Sequence, residues 1–261
     1  MKQKTFDYSA VILTGGSSGI GATFLASILA LKQKVVICNL SRHKPESIEG
    51  REDCYHFECD LSQSEAIEAV FPKIQELLRE KCPTGRILLI NNSGFGKYGK
   101  FEESDLATQL NMIELNVCAV VHLTRLMLPL LIERGGAMIN LASVVGFFPA
   151  PYMATYAATK SFVLDWSLAL REELKEHKIK VLALCPGATK TGFFKVANAT
   201  DFKVKFQSAE EVVEEAWKAL ESDKGFVVSG FSNKMRISIY KFLPLLWVAR
   251  SIAKQFRPDG N

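Results

Sequence analysis

A glycine-rich turn near the start of the chain, set between an apolar run and a stretch of helical composition, most limits what this sequence can become. Ala10-Val11-Ile12-Leu13 reads as a buried strand, Thr14-Gly15-Gly16-Ser17-Ser18-Gly19-Ile20-Gly21 as a tight turn, and the residues after it as a helix over 19–32. Backbone N–H groups at such a helix start have no intrahelical acceptor and carry positive partial charge. They suit a pyrophosphate, and glycine lets that anion come close. The spacing is Thr-Gly-x-x-x-Gly-x-Gly rather than Gly-x-Gly-x-x-Gly. Further strand-like runs near 34–38, 54–59, 86–91, 136–142, 179–185 and 225–229 alternate with helical segments near 62–80, 105–133, 154–176 and 208–222. Capping boxes, Ser62 with Glu65 and Ser208 with Glu211, mark two of the helix starts. This alternation predicts an α/β fold with a doubly wound, seven-stranded parallel sheet covered on both faces by right-handed crossovers.

A sheet of that kind places its ligand crevice at the carboxyl ends of the strands, where Gly15, Asp60, Asn92, Ser143 and Pro186 are all expected. Tyr156-Ala157-Ala158-Thr159-Lys160 lies on a predicted helix, so Tyr156 and Lys160 share a face. A neighbouring ammonium favours the ionised phenol, which predicts a Tyr156 that titrates closer to neutrality than its usual value near 10. Ser143, at a strand end, is placed to hold the oxygen of a carbonyl or alcohol while Tyr156 gives or takes its proton. This is acid/base chemistry without a metal, and the four scattered histidines offer no ligand set. Alone, Tyr-x-x-x-Lys is common in helices, and a tyrosine packed over a lysine stem is its ordinary meaning. Its company with the glycine turn changes that reading.

Taken together, the glycine turn, Asp60-Leu61, Asn91-Asn92-Ser93-Gly94, Asn116, Ser143, Tyr156/Lys160 and Cys185-Pro186-Gly187-Ala188-Thr189-Lys190-Thr191 make the chain resemble the short-chain dehydrogenase/reductase family from Val11 to about Thr191. The resemblance implies a Rossmann-type single domain and a catalytic set of Asn116, Ser143, Tyr156 and Lys160. It also implies cofactor contacts from Gly15, Ser17, Ser18, Gly19, Ile20, Gly21, Ser41, Arg42, Asp60, Leu61, Asn92, Gly94, Tyr156, Lys160, Pro186, Gly187, Thr189 and Thr191. In that assignment Asp60 bonds the adenine, Asn92 to Gly94 line the adenosine ribose, and Lys160 bonds the nicotinamide ribose. Pro186 and Gly187 shape the nicotinamide pocket, Thr191 touches the carboxamide, and Asn116 holds a water linking Lys160 to solvent. Ser93 departs from the alanine commoner at its place in the family.

The choice of cofactor turns on the end of the second strand. An acidic residue there would select NAD(H) through the ribose 2′-hydroxyl, but the chain has Asn39-Leu40-Ser41-Arg42, a hydroxyl and a guanidinium suited to a 2′-phosphate. NADP(H) is therefore expected, with NAD(H) as the alternative. Phe95, Tyr98, Val144, Val145, Phe147, Phe148, Tyr152, Met153, Phe193 and Phe194 are the candidate substrate walls. With no arginine or carboxylate among them, they predict a small apolar aldehyde or ketone, lipid-like in character, reduced to an alcohol. Alternatives are alcohol oxidation with NAD, a sugar-nucleotide epimerase or dehydratase, and a non-catalytic cofactor-binding regulator. Only about 70 residues follow Gly187, which disfavours the epimerase, and the intact acid/base set disfavours the regulator.

Composition bounds the remaining classes. The 261 residues, 48% of them apolar, can bury one large core. Net charge is +4, yet residues 231–261 hold Lys234, Arg236, Lys241, Arg250, Lys254 and Arg257 against Asp259, which leaves the preceding body near neutral and gives nucleic acid no basic stripe. The six cysteines lack Cys-x-x-Cys spacing and read as reduced core residues, and the first residues are too polar for an export signal, so a cytoplasmic, homo-oligomeric enzyme is expected. Residues 1–230 form the expected cofactor-binding and catalytic domain. Residues 231–261 form a basic, apolar extension, interrupted at Pro244, that packs on the domain or a partner subunit or makes peripheral membrane contact.

Overall fold

In the computed structural model, whose described residues are 6–199 and 205–258, seven strands form one sheet in the order β3-β2-β1-β4-β5-β6-β7. The strands are β1 (Ala10–Thr14), β2 (Val36–Ser41), β3 (Cys54–Glu58), β4 (Ile87–Asn91), β5 (Gly136–Leu141), β6 (Lys180–Cys185) and β7 (Phe226–Val228), and every pairing is parallel. The expected doubly wound, Rossmann-type sheet is therefore the one observed. The order reverses between β1 and β4, which opens a crevice at their carboxyl ends.

Alternation along each strand builds the core. Ala10 and Ile12 face one side with Ile67 and Ile74 of α2 (Ser64–Lys81) and Leu123 and Met127 of α4 (Ala119–Arg134). Val11 and Leu13 face the other, against Phe24 and Leu25 of α1 (Gly19–Leu29) and Val212 and Ala216 of α7 (Ala209–Glu221). Burying each such side chain contributes roughly 1.5–3 kcal/mol. A third cluster at the carboxyl end of the sheet joins Met112 of α3 (Leu106–Ile113) and Tyr156, Val163 and Leu164 of α5 (Ala154–Glu173) to two late helices, α8 (Phe231–Tyr240) and α9 (Leu245–Phe256). Pro244 is the N-cap of α9, so the break expected at that proline is present. A single turn, α6 (Phe193–Val196), follows the Pro186–Thr191 segment.

Three local expectations are corrected. The second strand runs to Ser41 rather than ending at 38, because the polar Asn39 is buried and satisfied by Gly16 N, Ser41 Oγ and His56 Nδ1. Ser62 is no cap: Asp60 Oδ1 accepts from its N–H at 3.1 Å and its hydroxyl at 2.8 Å, and α2 starts two residues later. The Ser208/Glu211 capping box does form. Of the cysteines read as core residues, Cys118 is exposed while the other five are buried and free.

The expected helix over 105–133 is continuous but not uniformly α-helical, since Glu114–Cys118 forms a π turn between α3 and α4. By length and apolar composition this 106–134 helix could cross a bilayer. In the fold it packs on α5, on α2 and on the central strands, with Met112, Leu123 and Met127 wholly buried.

Candidate active site

A cavity of about 920 Å³ lies at the carboxyl ends of the strands. Its walls bring together every cofactor and catalytic residue expected from the sequence except Gly21 and Asn116. Gly21 sits behind the turn, where a Cβ would lie 2.1 Å from Gly15 O, so its role is close packing of α1 under β1. Ser18, the N-cap of α1, makes no side-chain cap, and residues 15 and 17–20 present the turn and the helix start to the cavity.

The turn is held by side chains from neighbouring strands. Thr14 Oγ1 accepts from the N–H groups of Asn92 (2.8 Å) and Ser93 (2.9 Å), while Asn92 Nδ2 donates to Thr14 O at 2.9 Å. Asn39 Oδ1 accepts from Gly16 N at 2.9 Å. These contacts tie β1, β2 and β4 together at the reversal point, and Asn39, Thr14 and the Asn91–Asn140 pair at 2.8 Å are roles that the sequence alone did not single out. Ser41 and Arg42 stand on the cavity wall at the end of β2, with Ser41 Oγ donating to His43 O at 2.8 Å.

Asn116 is wholly buried within the π turn and does not bond its own helix. Its Oδ1 accepts from Phe95 N at 3.1 Å, and its Nδ2 donates to Phe95 O at 2.9 Å and Thr159 Oγ1 at 3.1 Å. The extra residue of a π turn redirects a side chain out of the helical ladder, here toward the loop after β4 and toward α5. Gly94 fits between: a Cβ there would lie 2.8 Å from Asn116 Oδ1 and 3.3 Å from Lys160 Nζ.

Tyr156 and Lys160 are both buried, and the Lys160 ammonium lies 5.8 Å from the Tyr156 ring centroid. Burial pushes the phenol's pKa up to about 12, outweighing the lowering that the nearby Ser143 hydroxyl exerts. The expected drift toward neutrality is thus reversed. Lys160 Nζ donates instead to Leu141 O at 2.7 Å, and burial lowers its own pKa to about 8. The site accordingly holds a protonated phenol beside an ammonium close to its titration point.

The substrate wall also differs from expectation. Phe95, Val144, Val145, Met153, Phe193 and Phe194 line the cavity, but Tyr98, Phe147, Phe148 and Tyr152 do not. Tyr98 OH donates to Phe256 O at 2.9 Å, Phe147 packs on Phe226 and Phe148 on Tyr240. At Tyr152 the backbone turns with φ 65°, and its hydroxyl accepts from Arg257 Nε at 3.3 Å. The wall is not free of arginine either. Asn233 and Arg236 of α8 reach it, as do Gln255 and Phe256 of α9. Arg236 Nη2 donates to Asn233 Oδ1 at 3.1 Å, while its buried Nε has no acceptor among the described residues.

A family model described as short chain dehydrogenase matches residues 9–201. Ketoacyl reductase HetN of Nostoc sp. is 30% identical over 194 residues, covering 70% of this chain and 64% of that protein. The very-long-chain 3-oxoacyl-CoA reductase of Rattus norvegicus is 29% identical over 216 residues, covering 80% of this chain and 67% of that one. The matches therefore span about two thirds of the length of these two relatives. Among solved structures, a short-chain dehydrogenase from Sphingobium yanoikuyae in complex with NADPH aligns with a TM-score of 0.77 at 27% identity, covering 97% of both chains.

Proposed function

The chain belongs to the short-chain dehydrogenase/reductase family and is a nicotinamide-dependent oxidoreductase, and from that premise we propose that it reduces an apolar aldehyde or ketone to an alcohol with NADPH, Tyr156 donating the proton. One observation carries the reading: a buried phenol, its proton held by burial, lines the same cavity as Ser143, Lys160 and the glycine turn.

The residues suit a dinucleotide. The α1 start has no side-chain cap, the Gly15–Ile20 segment lines the cavity, and Gly94 leaves room beside Asn116 and Lys160. Gly15, Ser17, Ser18, Gly19 and Ile20 would hold the pyrophosphate, Asp60 and Leu61 the adenine, and Asn92 and Gly94 the adenosine ribose. Lys160, Pro186, Gly187, Thr189 and Thr191 would hold the nicotinamide end. Ser41 and Arg42 favour the 2′-phosphate form, since Asn39, at the position of a selecting carboxylate, is buried and engaged with Gly16 N. Bound NADPH supplies a hydride.

The chain's own groups do the rest. Ser143 Oγ holds the carbonyl oxygen, and Tyr156 gives its proton to the developing alkoxide, a stronger base than phenolate. The Lys160 charge, held against Leu141 O, stabilises the phenolate left behind. Asn116 fixes the Phe95 backbone and α5 relative to one another through its three bonds. Phe95, Val145, Met153, Phe193 and Phe194 favour an apolar body on the substrate, and the names of two relatives point to ketoacyl compounds, one of them to a 3-oxoacyl-CoA, as the first class to try. The test is NADPH oxidation across aldehydes, ketones and 3-oxoacyl thioesters. Turnover of an apolar carbonyl with NADPH preferred over NADH supports the reading. Oxidation of alcohols with NAD alone, or no turnover across the panel, would replace it.

A further inference from the structure

We propose that the turn joining α8 and α9 is a docking surface for an anionic lipid membrane. Phe242 is 89% exposed and Leu246 71%, and Leu245 and Trp247 are each 64% exposed, beside the exposed Ile239 and Leu243. These residues gather where Pro244 separates the two helices. The same helices are anchored by their other side, through Ile237, Val248, Ile252 and Phe256, which are buried in the cluster shared with α5. Along α9 the buried side chains recur every four residues at 248, 252 and 256, whereas Trp247, Arg250 and Lys254 follow one another at helical spacing on an exposed face. Among the described residues, the fold uses one face of this helix pair and leaves the other uncovered.

Charge identifies the occupant. Between Phe231 and Phe256 the chain carries Lys234, Arg236, Lys241, Arg250 and Lys254 and no carboxylate. Lys234 is paired with Glu215 and Arg236 is turned to the cavity, which leaves Arg250 and Lys254 exposed along α9 after the apolar turn, with Lys241 at the turn's base against the rings of Phe147 and Phe226. A second copy of this chain would bring the same patch onto itself and set these cations near their own equivalents. Anionic headgroups instead complement them, with Trp247 at the polar boundary and Phe242, Leu245 and Leu246 among the upper acyl chains. At 10 and 12 residues the two helices are far short of the roughly 20 needed to cross a bilayer, so the contact is interfacial.

The experiment is co-sedimentation of the full chain with vesicles of phosphatidylcholine alone and of phosphatidylcholine mixed with phosphatidylglycerol. Wild type should sediment with the mixed vesicles at low salt and be released as salt rises. Phe242→Ser/Trp247→Ser and Arg250→Glu/Lys254→Glu should each cut the partition coefficient by more than about tenfold. Both should keep the wild-type thermal midpoint and NADPH affinity, because none of the four residues lines the cavity. Wild type left in the supernatant, or the serine variant sedimenting like wild type, overturns the proposal. So does lipid-free dimerisation in sedimentation velocity that the serine substitutions abolish and mixed vesicles do not displace, since a second copy would then own the surface. These readouts are independent of turnover, so they stand apart from any failure of the proposed reduction.

Discussion

At the residue scale Tyr156 and Lys160 were legible as neighbours on one helix face but not in their electrostatics. Spacing places Lys160 beside Tyr156, yet only the packed structure shows that burial dominates both groups and that the lysine turns to Leu141 O. If Tyr156 is the acid, Tyr156→Phe lowers kcat at least about 100-fold while NADPH affinity stays near wild type. Near-normal turnover by that variant would remove the phenol from the mechanism. The pH dependence follows from the signs. Tyr156, at about 12, keeps its proton throughout the working range, whereas Lys160, lowered from 10.5 to about 8, is charged below that point and neutral above it. The kcat/KM for reduction should therefore fall as pH rises through about 8, and a flat profile up to about pH 10 would exclude a need for the ammonium. Stability moves the other way over the same window. The unfolded lysine binds its proton more tightly, so this group's contribution to stability rises between about 8 and 10.5. At the other end of the cavity, Arg42→Ala should weaken NADPH binding at least about tenfold and NADH hardly at all, because a guanidinium distinguishes the two only through the phosphate. Titration of wild type and Arg42→Ala with both cofactors checks it, and equal losses would take Arg42 out of cofactor discrimination. Arg236 had no such signal in the sequence, since it reaches the cavity from a helix that no motif ties to the site.

At the scale of elements, the strands, their parallel order and most helices were readable because hydrophobic period and turn chemistry are local properties. Local competition decided the misses. Asp60 captures both polar groups of Ser62, which denies α2 its expected cap, whereas Ser208 bonds Glu211 in both directions and its box forms. The aromatic residues at 147, 148 and 152 were misplaced for a related reason: a 3₁₀ segment and a positive-φ turn between β5 and α5 reverse side-chain directions that composition does not encode. The π turn at Glu114–Cys118 is likewise invisible in a long apolar run, and it is what lets Asn116 satisfy both backbone groups of Phe95. Asn116→Ala leaves that half-buried N–H and C=O without their side-chain partner, so it should cost about 1–2 kcal/mol in urea unfolding and depress turnover by loosening the loop after β4 against α5. A stability loss below about 0.5 kcal/mol would mean that the Phe95 groups find other partners.

At the scale of the molecule the question is whether α8 and α9 are an appendage or part of the cooperative unit. Sequence set residues 231–261 apart from the body by charge, and charge patterns say nothing about which side of a helix is buried. The structure threads Ile237, Val248, Ile252 and Phe256 into the cluster that includes Tyr156, Val163 and Leu164, so the helix pair and α5 share apolar contacts. We expect one cooperative unfolding transition, with α9 contributing to it directly. Ile252 is 1% exposed, and Ile252→Ala removes buried methyl groups from a site hemmed in by both α9 and the body. The expected loss is about 2–4 kcal/mol with an unchanged urea slope, and a higher KM accompanies it as Phe256 and Gln255 shift on the cavity wall. An appendage would behave differently: Ile252→Ala would leave the main transition in place and, at most, add a separate low-concentration step reported by proteolysis of the last helix. Urea unfolding followed by far-UV circular dichroism, with limited proteolysis run alongside, separates the two. A main transition unmoved by the substitution would detach α9 from the core and leave the cavity walled by the first nine-tenths of the chain alone.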